Sequence, residues 1–172
     1  MLIGLGAAKA AATYLLAHAM FKGCLFLVAG SITKQTGEKD PERLGGLRRN
    51  MPLTAIAAGL GALSLAGMFP LLGFVGKELV LKAGLEHPEW ATAATIATVV
   101  AAVLTVFAAL LVGARPFFGA RPESFADARD PDWRQLTGPL ILAFAGVVAS
   151  LTPSLFAEPI VKGMILSIEG PP

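Results

Sequence analysis

The chain has 172 residues, of which 55% are hydrophobic and only 15% charged, with a net charge of +2 and a mean hydropathy of +0.67. Soluble domains carry about a quarter charged residues, so this balance excludes an ordinary water-soluble domain and points to lipid as the solvent. The net charge is too small to argue for nucleic-acid binding, and the one cysteine, Cys24, cannot form an internal disulfide and is expected to pack in an apolar interior.

The chain reads as an all-α, polytopic membrane protein with about four transmembrane helices. The first predicted span covers residues 2–33. Met1 is followed by Leu-Ile-Gly-Leu-Gly with no basic region, and the apolar run is too long for a secretory signal. A helix crosses the hydrocarbon in roughly 20 residues, so this one is long, tilted or frayed at its outer end. It ends at the polar stretch "KQTGEKDPERLGGLRRNMP", which holds Lys34, Lys39, Arg43, Arg48 and Arg49.

The second apolar block, 53–85, has the centre "SLAGMFPLLGFVGKE". Pro70 removes a backbone donor, and Gly67, Gly73 and Gly76 favour unwinding. Two helical pieces around an irregular centre near Gly67–Gly73 are expected. A short acidic loop, "EHPE", leads to a third span at 90–112, then to a polar loop with Arg115, Arg121, Arg129 and Arg134. The fourth span covers 137–155, and 158–172 form a tail in which Glu158 and Lys162 have the spacing to pair across one turn. If 53–85 is one broken span, both arginine-rich loops share a side, and the positive-inside rule makes that side cytoplasmic. A hairpin would put them on opposite sides. The single broken span is the reading adopted, with both termini outside.

Tyr14, His18 and Lys22 recur every four residues and form a ladder on one helix face. A charge at mid-membrane costs at least ~2.5–3.5 kcal/mol on insertion scales, so such residues face a bundle interior or a wet cavity. Histidine exchanges protons near neutral pH, a desolvated lysine can do so, and a tyrosine hydroxyl both donates and accepts. Together they suit a proton relay. The bland alternative is a structural histidine with a lysine that snorkels to the interface. Lys22 lies about 11 residues from the predicted helix end, roughly 16 Å at the standard rise, which is too far to snorkel comfortably. Lys77 and Glu78 follow the break, and irregular backbone with nearby charge recurs at transporter ion sites. Lys77 is the stronger candidate. Glu78 is a lesser one, as its counter-ion or an outward exit group. Lys82 and Glu86 read as interface residues that terminate the span. Lys9 reads as snorkelling to the outer interface, and His87 as solvated. No His, Cys or carboxylate spacing suggests a metal site, no glycine loop suggests phosphate binding, and no cofactor is expected.

Three motifs then take on a family look. "HAMFKGCLFLVAG", "LGGLRRNMP" and "ALSLAGMFPLLGFVGKE", in this order and spacing, resemble the antiporter-like membrane subunits shared by Mrp-type Na+/H+ antiporters and respiratory complex I. The wording is closest to the A-type Mrp subunit, and the match covers roughly residues 1–157. The resemblance implies two inverted repeats, each with a broken helix bearing a functional lysine. It places His18 and Lys22 on a central hydrophilic axis and makes Lys77 the lysine of the second repeat's broken helix. Where some members have a further histidine one turn earlier, this chain has Tyr14. The first repeat, with its own broken helix, glutamate–lysine pair and "PTPVSALLHAATMV"-type motif, is not in this sequence. The chain therefore reads as half of an inverted-repeat core, from a truncated frame or a split subunit.

Three functions are compatible with this reading. The first is a proton-conducting membrane subunit of a multisubunit monovalent cation/proton antiporter in a bacterial cell membrane. Its partners would be other membrane subunits, protons, lipid and, by resemblance, Na+. The second is a proton-pumping subunit of complex I, an NADH:quinone oxidoreductase, or of a related hydrogenase. The third is a non-transporting membrane scaffold.

Overall fold

A computed structural model describes residues 7–86 and 88–169, with side chains to residue 167. The expected start of the first span near Leu2, and His87, lie outside the described residues. Six helices follow in order: α1 (Ala8–Thr36), α2 (Pro52–Ala66), α3 (Leu72–Leu85), α4 (Ala91–Ala109), α5 (Trp133–Leu151) and α6 (Ala157–Glu169). A wider-wound turn, Leu110–Ala114, extends α4, with the Arg115 N–H bonded to the Leu110 carbonyl. Among the described residues, three helices are long and apolar enough to cross a membrane: α1, α4 with its extension, and α5. Neither α2 (15 residues) nor α3 (14 residues) reaches that length alone.

Together they do, because they form one broken line along α1. Cys24 of α1 donates its S–H toward the Ala57 carbonyl of α2. Phe21 and Ala17 share a buried cluster with Ala62, Leu65 and Leu72. One turn earlier on α1, Tyr14 lies against Gly76 of α3. As α1 is read backwards, α2, the break and α3 are read forwards. A hairpin would have returned α3 along α2. The expected broken span is therefore what the chain forms.

Local chemistry fixes the break where glycine and proline place it. Gly67 adopts φ 83° and ψ 39°, the left-handed conformation that ends α2. Its N–H and that of Met68 return to the Leu63 and Ser64 carbonyls. At Gly73 the second piece starts so close to the first that a Cβ would stand 1.8 Å from the Ser64 carbonyl oxygen.

The remaining helices complete an antiparallel bundle. Gly84 of α3 meets Ala94 of α4, and Gly113 beyond α4 meets Ala58 and Ala62 of α2. At Gly113 a Cβ would lie 2.2 Å from that of Ala62, so this crossing admits no side chain. On α5, Pro139 offers its carbonyl to Cys24, Leu142 meets Gly23, and Ser150 donates to the Pro70 carbonyl in the break.

Both arginine-bearing connections therefore lie at one end, and they bind each other. The Gly46, Leu47 and Arg48 N–H groups donate to Phe118, Pro116 and Phe117 carbonyls at 3.2, 3.2 and 3.3 Å. Asp130 of the second connection caps α2, accepting from the Leu53 and Thr54 N–H groups and from the Thr54 hydroxyl at 3.0, 2.9 and 2.6 Å. Those N–H groups have no partner within the helix. Beneath the joined loops Cys24, Val28, Leu47, Met51 and Phe117 are buried together. Beside them the Asp40 and Lys39 N–H groups hold the Glu38 carboxyl below the usual carboxylate range.

Some expectations are corrected. The last long helix spans Trp133–Leu151 rather than 137–155, because Asp132 starts it and Pro153 follows its end. Residues after it fold back as α6, whose Ala157 and Val161 are buried, the former beside α1. The Glu158–Lys162 pair is not formed.

Two glycine substitutions test the break. Gly73→Ala should lower the stability of the detergent-purified chain by about 1–3 kcal/mol, the usual cost of overpacking. Gly30→Ala, which meets open space inside α1, should leave it equal or raise it by up to about 1 kcal/mol. Equal denaturation midpoints for Gly73→Ala and the parent chain would contradict the close approach of α2 and α3.

Candidate functional site

A helix end inside a bilayer leaves carbonyls that water cannot reach, and each must find a donor. At the end of α2, the glycine cap takes the Leu63 and Ser64 carbonyls. The next two carbonyls, of Leu65 and Ala66, accept from the Lys77 Nζ at 2.8 and 3.0 Å. A third acceptor is the Thr105 hydroxyl of α4 at 2.7 Å, which itself donates to the Ala102 carbonyl at 2.9 Å.

The geometry suits a charged lysine. An ammonium has three N–H donors, and three oxygens surround this one. The carbonyl end of a helix also carries partial negative charge, which favours a cation. Gly67 makes room for the side chain: a Cβ there would stand 2.9 Å from Lys77 Cδ. One side chain thus joins α2, α3 and α4. Loss of one proton would leave three acceptors for two donors and remove the attraction to the helix end, so the contact set itself depends on protonation.

On α1, the three rungs of the ladder are each half-buried. Tyr14 packs on Gly76, next to Lys77 in sequence. Its ring centroid lies 6.2 Å from that of His18, which meets buried Phe21 edge-on at 5.2 Å. Lys22 sits over the Phe26 ring at 5.8 Å. Among the described residues, the Tyr14 hydroxyl, the His18 nitrogens and the Lys22 ammonium have no hydrogen-bond partner. The structure thus brings Tyr14 and His18 together, sets Tyr14 beside the turn that carries Lys77, and leaves Lys22 on the flank.

Glu78 stands apart from this group. It is exposed and forms an ion pair with Lys82 at 2.7 Å, four residues on. The expectation that Glu78 serves as the counter-ion of Lys77 is therefore corrected: helix carbonyls and a threonine take that place. Lys82, expected only to terminate the span, holds Glu78 instead.

Sequence reasoning missed Thr105. The signal was faint but present, since it is the sole hydroxyl in the apolar run "VVAAVLTVFAALLV". The two carbonyls had no signal in side-chain identities. Among the described residues no group of three His, Cys, Asp or Glu side chains could hold a metal ion.

Comparison with known proteins agrees with this architecture. The family described as "NADH:quinone oxidoreductase/Mrp antiporter, TM" matches residues 1–105. The chain is 33% identical over 171 residues to "Na(+)/H(+) antiporter subunit A1" of Staphylococcus haemolyticus, covering 94% of this chain and 21% of that protein. It is 34% identical over 149 residues to "NADH-quinone oxidoreductase subunit L" of Rickettsia felis, covering 85% of this chain and 22% of that one. Among solved structures, the Mrp complex from Dietzia sp. DQ12-45-1b contains a chain that superposes with a TM-score of 0.78 at 25% identity, covering 95% of this chain and 38% of that one. The chain spans about a fifth of the length of these curated relatives. With its helical bundle superposing on a chain of a solved Mrp complex, and with the family match over more than half its length, this chain belongs to the NADH:quinone oxidoreductase/Mrp antiporter membrane family.

Proposed function

We propose that this chain forms a proton-conducting part of the membrane subunit of a monovalent cation/proton antiporter, with Lys77 as the group that gains and loses the transported proton. The observation that carries this reading is the Lys77 ammonium seated on the Leu65 and Ala66 carbonyls and the Thr105 hydroxyl. Protonated, it bridges three helix segments. Deprotonated, it has two donors for the three acceptors and loses its attraction to the helix end. Tyr14, His18 and Lys22 supply further exchange sites along α1, each with an unoccupied polar group toward which a water chain can run. Glu78, exposed and paired with Lys82, is suited to an exit position rather than to the buried step. Sodium is the expected counter-cation, from the likeness to Na(+)/H(+) antiporter subunits A and A1. Other membrane subunits supply the rest of the path. The basic loops face the cytoplasm on the positive-inside rule.

The likeness to NADH-quinone oxidoreductase subunit L supports a second reading, in which the same residues pump protons on energy from a distant redox site. Cation-dependent proton movement in vesicles without any electron donor supports the antiporter. Strict dependence on NADH oxidation supports the alternative.

Lys77→Ala and Lys22→Ala, tested in the complete assembly in vesicles, should reduce cation-dependent proton movement to background while assembly persists. Normal transport in either variant removes that residue from the path. Thr105→Val keeps the shape but loses the acceptor, and should slow transport about tenfold, the weight of one hydrogen bond to a charged group. His18→Gln should lower the rate and move its pH optimum. An unchanged pH profile would return His18 to a purely structural role.

A further inference from the structure

The joined loops at the basic end enclose something the transport reading does not use. Between them lies a cavity of about 380 Å³, lined by Arg48, Arg49 and Arg121 together with Gly46, Phe118 and Gly119. The two strands of backbone that form it are locked together. Gly46 has φ 64°, and a Cβ there would meet Arg121 Cβ at 2.7 Å. A Cβ on Gly45 would meet the Ala120 carbonyl at 2.5 Å. The spacing of the two loops that carry the cavity is thus set by backbone contacts.

Its three guanidinium groups lack carboxylate partners among the described residues. The carboxylates nearest in sequence, Glu42, Glu123 and Asp127, form no ion pair with them, and the next nearest are committed elsewhere. Glu38 and Asp40 lie at 3.7 Å from Arg43, and Asp130 caps α2. Arg121 donates only to the Asn50 side-chain oxygen. Arg48 stacks over the half-exposed Phe118 ring at 5.2 Å. The result is a concave site with a cationic rim and an aromatic wall.

Its depth in the membrane follows from the helices. α1 and α4 end, and α2 and α5 begin, at this level. Trp133, the first residue of α5, is exposed with the Arg134 guanidinium 5.8 Å from its ring. Exposed tryptophan and arginine at a span's end mark the headgroup layer. Guanidinium groups match phosphate oxygens in pairs, and basic pockets between helix ends at this depth suit anionic headgroups. We infer that the Arg48–Arg49–Arg121 cavity between the two basic loops binds a phosphate group, and that its source is the headgroup of an anionic phospholipid. The acyl chains would run down beside Phe118 into the bilayer. A lipid held there would clasp the two loops that cap α2 and set the start of α5. This site stands whether or not Lys77 carries a proton.

The test uses the full chain purified in zwitterionic detergent, titrated with dioctanoyl-phosphatidylglycerol, dioctanoyl-phosphatidylcholine and inorganic phosphate, with binding read by native mass spectrometry. Phosphatidylglycerol should bind at least about tenfold more tightly than either of the others, as expected when several charge-assisted contacts act together. The R48Q/R49Q variant should lose that preference with its helical circular dichroism unchanged. Arg134→Gln, outside the cavity, should retain it. If the double variant misfolds, Arg49→Gln alone should weaken phosphatidylglycerol binding about threefold or more. Equal binding of the two lipids, or unaltered binding in both arginine variants, would overturn the site. Inorganic phosphate binding as tightly as phosphatidylglycerol would overturn the lipid as its source.

Discussion

The carbonyl end of a helix that stops in mid-membrane is the constraint on which this fold turns. Breaking a span exposes backbone oxygens where no water can reach them, and several kcal/mol per unsatisfied group are at stake. This chain meets that cost with a glycine cap for two carbonyls and the Lys77 ammonium for two more. The solution couples structure to charge. A residue that seals the break is also a residue that can lose a proton, so the seal and the proton occupancy are one variable. Had Thr105 or a water supplied all the hydrogen bonds, the break would be indifferent to protonation.

Close packing keeps that arrangement in register. Little hydrophobic force drives helices together inside lipid, so backbone proximity has to do it. Gly73, Gly76, Gly84 and Gly113 each sit where a Cβ would press on a neighbouring helix. They draw α3 onto α2 and α1, α4 onto α3, and the end of α4 onto α2. The reach from Lys77 to Thr105 exists only because α4 lies that near. At the other end, polar contacts replace small residues: the Asp130 cap and the Gly46–Phe118 backbone bond tie loops that sit far apart in sequence.

Much of this was legible in the sequence, and the limits have physical causes. The break was readable because glycine and proline carry backbone preferences in their own chemistry, and Gly67 and Pro70 sit inside an apolar run. The shared end of the two basic loops was readable from charge spacing once the broken span was chosen over a hairpin. The partners of Lys77 were not, because backbone carbonyls look the same at every residue, and only the fold decides which are left over. Glu78 beside Lys77 suggested a pair. Adjacent residues on a helix, however, point about 100° apart, while Glu78 and Lys82 share a face. The sixth helix was read as a tail because its 13 residues are too few to cross the bilayer, although the Glu158–Lys162 spacing already suited a helical turn.

The direction of the ladder follows from the same helical arithmetic. Four residues advance an α-helix by slightly more than one turn, so Lys22 is rotated about 80° from Tyr14. Tyr14 begins against Gly76, beside the break. Lys22 ends beside Phe26, which is 71% exposed within this chain. The rungs therefore do not run straight along the bundle axis. They wind outward, from the contact with α3 to a flank that no helix among the described residues covers. A proton path using all three would leave this bundle laterally, toward whatever packs on that side of α1. Lys22 would then belong to a boundary between structural units, and Lys77 to the interior of one.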